Sequence, residues 1–123
     1  MAQLRANFDL ANGEPLFATG PQYRHYQVLL SIQDPPENAL TIIYQLDSSY
    51  PNPVRMVTKG APNFQEYITA YGDYVITVVY RPVDDPSKLE TLLSARLSRA
   101  LHDTYGSNTP PPVAEAIKYI EDH

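Results

Sequence analysis

Three histidines are the obvious candidates for acid–base chemistry near neutrality in this sequence of 123 residues. His25 lies in a strand-like segment, His102 late in a helical one and His123 at the end. A nucleophilic site would need a Ser or Thr beside such a His and a carboxylate to orient it. No recognisable nucleophile context surrounds any of the three. The chain has no Cys, which removes thiolate metal sites, cysteine nucleophiles and disulfides together. No two His, Asp or Glu residues show H-x-x-x-H ligand spacing. Asp84–Asp85 reads as a helix cap, and Glu121–Asp122 as a solvated tail. Asp47, Glu66 and Asp73 carry no signature that couples them as a carboxylate pair. The five glycines are scattered at 13, 20, 60, 72 and 106, so no phosphate-cradling loop exists. The sequence thus predicts no enzyme, no catalytic residue, no metal site and no cofactor.

Two aromatic stretches remain, "YQLDSSYPNPV" (44 to 54) and "FQEYITAYGDY" (64 to 74). One reading makes them connections between strands, with tyrosines half buried for packing and Gly72 supplying a backbone conformation that other residues avoid. The other displays the aromatics for a ligand.

Composition bounds the choice. The length suits one domain, and 43% hydrophobic residues suffice for a core. Ten Tyr against three Phe and no Trp leave many large side chains with a hydroxyl that must reach water or a partner, as in sheets with one wetted face. A net charge of -5 argues against nucleic acid, whose binding rests on Lys and Arg displacing counterions. A basic partner fits better. "MAQLRANFDLANG" lacks the apolar stretch of a signal peptide, and no apolar run approaches the length that spans a bilayer. A cytoplasmic location is expected, and Met1 with an ordinary C-terminal tail points to a free-standing chain.

Twelve prolines punctuate the sequence, and strand-like segments lie between them. These are "YRHYQVLLSI" (23 to 32), "ALTIIYQL" (39 to 46), "VRMVT" (54 to 58) and "DYVITVVY" (73 to 80), each rich in Val, Ile, Thr and Tyr. In "TIIYQL", Ile42, Tyr44 and Leu46 share one face. In "YVITVVY" both faces are apolar, predicting a strand covered on both sides. Short strands between turn signals predict an antiparallel sandwich. After Pro82 the pattern changes. "DDPSKLETLLSARLSRALHDTYG" reads as a helix capped by Asp85 and stopped by Gly106, although residues 88 to 97 also alternate as a strand would. "VAEAIKYIED", with Val113, Ile117 and Ile120 on one stripe, predicts a second helix after the Pro-rich joint at 109 to 112, which is either a hinge or a rigid corner.

The two aromatic stretches, in this order and spacing, resemble the signature of the YEATS domain. There a strand of the type V-x-Y/F-x-L-H-x-S-F precedes P-x-P, a P-P/F segment and S/T-G-W/Y-G-x-F. The counterparts are "IIYQLDSSYPNPVRMV", "APNF" and "TAYGDYVITVVY". The resemblance covers residues 23 to 82 and is closer to the prokaryotic branch. It implies an all-β, immunoglobulin-like antiparallel β-sandwich, expected over residues 1–82, and the helical pattern read above then makes residues 83–123 a C-terminal helical extension packed on the same domain.

By this resemblance the protein is a non-enzymatic module that holds an acylated lysine, or a similar planar group, between the rings of Tyr50 and Tyr71. Ser49 would bond the acyl amide through its hydroxyl, and the backbone N–H of Tyr71 would meet the acyl oxygen. Thr69, Ala70, Gly72 and Tyr74 would shape the loop and the pocket wall. A planar neutral amide stacks on aromatic faces, whereas a free ammonium brings several strong donors into a dry slot. The chain departs from the eukaryotic pattern at Asp47, where a His is usual, and at Ala70, where a Gly is usual. Asp47 at the rim would favour a cationic ligand or basic neighbours, so the implied partner is an acylated-lysine-bearing or basic protein or peptide. The competing reading is an interaction or regulatory domain of a bacterial stress or signalling system, which would bind through its C-terminal helices.

Overall fold

The computed structural model describes residues 1–123. Alternation builds the first strand, β1 (Gln3–Phe8), whose Leu4, Ala6 and Phe8 point inward. A small hairpin follows, β2 (Leu10–Ala11) and β3 (Glu14–Pro15), joined by Asn12 and Gly13 with φ of 54° and 81°. Two successive positive φ values are what a two-residue turn matched to strand twist requires. Then come β4 (Phe17–Thr19), β5 (Arg24–Gln33), β6 (Ala39–Gln45), β7 (Val54–Thr58), β8 (Glu66–Ala70), β9 (Val75–Pro82) and β10 (Glu90–Arg96). Two helices close the chain, α1 (Leu97–Tyr105) and α2 (Pro111–Asp122).

The strands form two antiparallel sheets. In one, β5 is the long central strand: β1 pairs with Val28–Gln33, β4 with Arg24–Tyr26, and β8 with Tyr26–Leu30. The other has the order β10-β9-β6-β7. This is the immunoglobulin-like sandwich expected from the sequence. The predicted segments 23 to 32, 39 to 46, 54 to 58 and 73 to 80 correspond to β5, β6, β7 and β9. Ile42, Tyr44, Ile76 and Val78 are fully buried between the sheets. On the opposite face Ile43 and Val79 are also buried, whereas Val75 is exposed, so β9 is covered on both sides only in its middle.

The helix expected from Asp85 onward is the principal correction. Residues 85–88 form a turn, in which the Lys88 N–H donates to the Asp85 carbonyl, and 90–96 form a strand paired with β9. The register shifts between Thr91 and Leu93, and Leu92, Leu93 and Ala95 all pack against the core. That bulge explains the misreading, because an extra residue in a strand brings two consecutive leucines to one side and imitates a helical interval. Sheet pairing then overrides local helix propensity. The sandwich therefore continues past residue 82 to Arg96.

The helices belong to the same core as the sheets. Leu97, Ala100 and Leu101 of α1 and Val113, Ala116, Ile117 and Ile120 of α2 join Leu4, Val28, Leu30, Ile42 and Ile76 in one cluster. The Pro-rich joint is a corner: Pro111 opens α2, and the Ala114 N–H donates to the Pro110 carbonyl. The first strand is tied to α1 by two hydrogen bonds, from Ala6 N–H to the Thr104 hydroxyl and from Phe8 N–H to the Tyr105 hydroxyl. Neither helix is long and apolar enough to cross a membrane.

Candidate functional site

At one end of the sandwich, the β6–β7 loop and the β8–β9 loop converge on a cleft of about 290 Å³. Its lining includes Asp47, Ser49, Tyr50 and Pro51 from the first loop and Thr69, Tyr71, Gly72, Asp73 and Tyr74 from the end of β8 and the second loop. Of the eight residues singled out in the sequence, seven face it. Ala70 does not. It pairs with Tyr26 at the end of β8 and is 1% exposed, because strand alternation sends Thr69 and Tyr71 outward and Ala70 into the core.

The first loop is a tight turn. Leu46 N–H donates to the Pro53 carbonyl at its base, and Tyr50 N–H donates to the Asp47 carbonyl. Ser49 acts on the Asp47 carboxyl through its hydroxyl and then its N–H, holding it below the ordinary carboxylate range; the N–H bond measures 3.1 Å. The carboxylate at the rim is thus ionised and occupied within its own turn.

The second loop is fixed by its acid. Asp73 accepts from the Ser98 N–H at 3.0 Å and the Ser98 hydroxyl at 2.7 Å, and its carboxylate lies 3.5 Å from Arg96. The N-terminus of α1 has no cap of its own, so Asp73 caps it from a distant loop. Leu97 N–H donates to the Tyr74 carbonyl beside it.

A run of hydroxyls joins the two loops. Tyr74 donates to the Tyr50 hydroxyl at 3.0 Å, and Tyr50 donates to the Thr69 carbonyl at 2.6 Å. Burial pushes both hydroxyls above the ordinary tyrosine range. Replacing Tyr74 by Phe removes one donor and leaves the second bond in place. The expected loss is about 1 kcal/mol of stability, read as a lowered urea midpoint with an unchanged slope.

The two rings are spent elsewhere than on each other. Tyr50 meets Tyr74 edge-on, with ring centroids 5.6 Å apart at 60°. Tyr71 stacks on Tyr23 at 4.6 Å and 15°, and His25 meets it edge-on at 5.4 Å. The Tyr71 backbone N–H donates to no other group of the chain.

Gly72 is required by proximity and not by backbone conformation. A β-carbon there would lie 2.9 Å from the carbonyl carbon of His123, whereas its φ is not in the left-handed region. His25, Pro51, Asp73 and His123 are lining residues that the sequence reading missed. No group of three or more His, Cys, Asp or Glu residues is placed to hold a metal ion.

The family model of the prokaryotic YEATS domain matches residues 26–91, more than half of the chain. The chain belongs to the prokaryotic YEATS family. Among solved structures, it resembles the Yaf9 YEATS domain bound to H3K27ac, with TM-score 0.50 and 19% identity, covering 79% of this chain and 73% of the other. The yeast AF-9 homolog protein Yaf9 gives TM-score 0.51 at 19% identity, covering 79% and 72%. The Yaf9 YEATS domain recognising an H3K122suc peptide gives TM-score 0.55 at 16% identity, covering 96% and 94%. At these identities the likeness shows the fold. A search of curated protein sequences gave no significant match. The YEATS match ends at Thr91, inside β10, so both helices lie beyond it.

Proposed function

We propose that this YEATS domain is a non-enzymatic binding module whose cleft takes an acylated lysine, or a similar planar neutral group, between Tyr50 and Tyr71. One observation carries the reading: rings from two separate loops line one cleft, and neither covers the other. The free Tyr71 N–H supports it, because an acyl oxygen at that point would give the donor a partner. An amide between the rings gains about 0.5 to 1.5 kcal/mol per aromatic contact and about 1 kcal/mol per hydrogen bond. A micromolar complex needs roughly 8 kcal/mol, so flanking residues of a peptide must supply the remainder. Asp47 at the rim favours basic residues there.

Titration with acetyl-lysine and crotonyl-lysine peptides should move the amide resonances of Tyr71 and Gly72, while the unmodified peptide should not. Tyr71→Ala should weaken binding by roughly tenfold or more, the loss of one aromatic face together with the order of the loop. Silence at both amides with millimolar acylated peptide would sink the proposal.

A further inference from the structure

One side of the cleft comes from parts of the chain that lie outside the YEATS match. His25, before residue 26, and His123, after residue 91, line it, and Tyr23 and Tyr119, also outside the match, pack against Tyr71 and His123. Behind Tyr71 stands Tyr23, stacked at 4.6 Å; behind Tyr23, edge-on at 5.7 Å, is His123. His123 is in turn stacked on Tyr119 at 4.1 Å, and its Nδ1 lies 2.7 Å from the Tyr119 carbonyl. Tyr119 is anchored to the sheet, where its hydroxyl accepts from the Arg24 N–H at 2.9 Å. The row of rings thus runs from β5 through the end of α2 to the platform of the cleft. The backbone of His123 seats directly on Gly72, where no side chain fits.

We infer that Tyr23 and His123 are positioning residues for Tyr71, so that the end of α2 is a working wall of the ligand site. Tyr71 is 37% exposed and belongs to a loop anchored chiefly at Asp73. A ring so placed has several rotamers open to it, and a face-on neighbour selects one. Stacked rings prefer this offset face-to-face arrangement, and Tyr23 is the stacking partner Tyr71 has. Preorganising the platform spares the ligand the cost of ordering it. The contribution to affinity rests on the acyl-lysine reading, but the positioning of the ring does not.

Two readouts separate these. Aromatic NMR of the ligand-free protein follows the Tyr71 ring and the His123 imidazole. Tyr23→Ala should shift both, and Tyr23→Phe, which keeps the ring and removes only the hydroxyl, should leave them near the wild-type values. Gly72→Ala should shift His123 by pushing the end of α2 off the loop while removing no ring. In the second readout, acetyl-lysine peptide affinity should fall about two- to tenfold in Tyr23→Ala and in Gly72→Ala, and recover in Tyr23→Phe. Unchanged Tyr71 resonances in Tyr23→Ala would overturn the inference, as would a shifted ring with unchanged affinity. If the wild-type protein binds no acylated peptide, the acyl-lysine reading fails by itself and the resonances still decide whether Tyr71 is held from behind.

Discussion

Asp73→Ala is expected to lower the unfolding free energy by about 2 to 3 kcal/mol, the sum of a lost helix cap and a buried hydroxyl left without its partner. The carboxylate serves both the N–H and the hydroxyl of Ser98, and Ser98 is 8% exposed, so water cannot readily replace what is lost. The contact with Arg96 is exposed and contributes little. Asp73→Asn keeps an acceptor for the N–H and should recover about half of the loss. Chemical denaturation measures the size of the effect. Amide hydrogen exchange locates it, with faster exchange expected in the first turn of α1 and in residues 71–74. A change below about 0.5 kcal/mol, within the range of an ordinary surface substitution, would show that Asp73 does not hold the loop to the helix.

Alkali should unfold the protein more steeply than it unfolds one with exposed tyrosines. Burial raises the Tyr44 hydroxyl, which is fully inaccessible and donates to the Phe64 carbonyl at 2.7 Å, and also raises Tyr74. The unfolded chain releases these protons at about pH 10, whereas the folded chain keeps them. The unfolded state then binds fewer protons, so stability falls as pH rises; below about pH 10 the contribution is fully present. Each such hydroxyl removes about 1.4 kcal/mol per pH unit above that point, roughly 3 kcal/mol per unit for the two. Urea midpoints measured from pH 7 to 11 should be flat at first and then drop. Tyr44→Phe should begin about 1 to 2 kcal/mol less stable at pH 7 and lose about 1.4 kcal/mol per pH unit of the alkaline slope, while Tyr50 and Tyr74 keep the rest. A variant with the wild-type slope would place the titration elsewhere.

How much of this was legible in the sequence depended on what each segment packs against. Strands β5, β6, β7 and β9 declare themselves through runs of Val, Ile, Thr and Tyr between prolines. β8 is harder to see, because only Ile68 and Ala70 of its five residues are buried and the third residue on their face is the charged Glu66. β1 is not among the strand segments that the composition singles out, since two of its inward residues, Ala6 and Phe8, stand among polar neighbours in a short stretch. β10 was concealed by its bulge. The cleft followed the same rule. Its two loops could be named from "LDSSYPNP" and "TAYGDY", because each is contiguous. The wall of His25 and His123, with Tyr23 stacked on Tyr71, could not, because it is complete only once the end of α2 has docked against residues far away in sequence. Gly72 illustrates the limit: its presence was noticeable, but its reason, the backbone of His123, lies at the far end of the chain.

The bonds from β1 to α1 bear on how the protein is made. Ala6 finds its acceptor on a residue 98 positions later, and Phe8 on one 97 positions later. At ordinary rates of synthesis, roughly 5 to 20 residues per second, those partners leave the ribosome roughly 5 to 20 s after the strand that needs them. During that interval Leu4, Ala6 and Phe8 have no helix to cover them. The nascent chain thus presents an unsealed strand for a matter of seconds, long enough for a chaperone, or the edge of a neighbouring nascent chain, to reach it first.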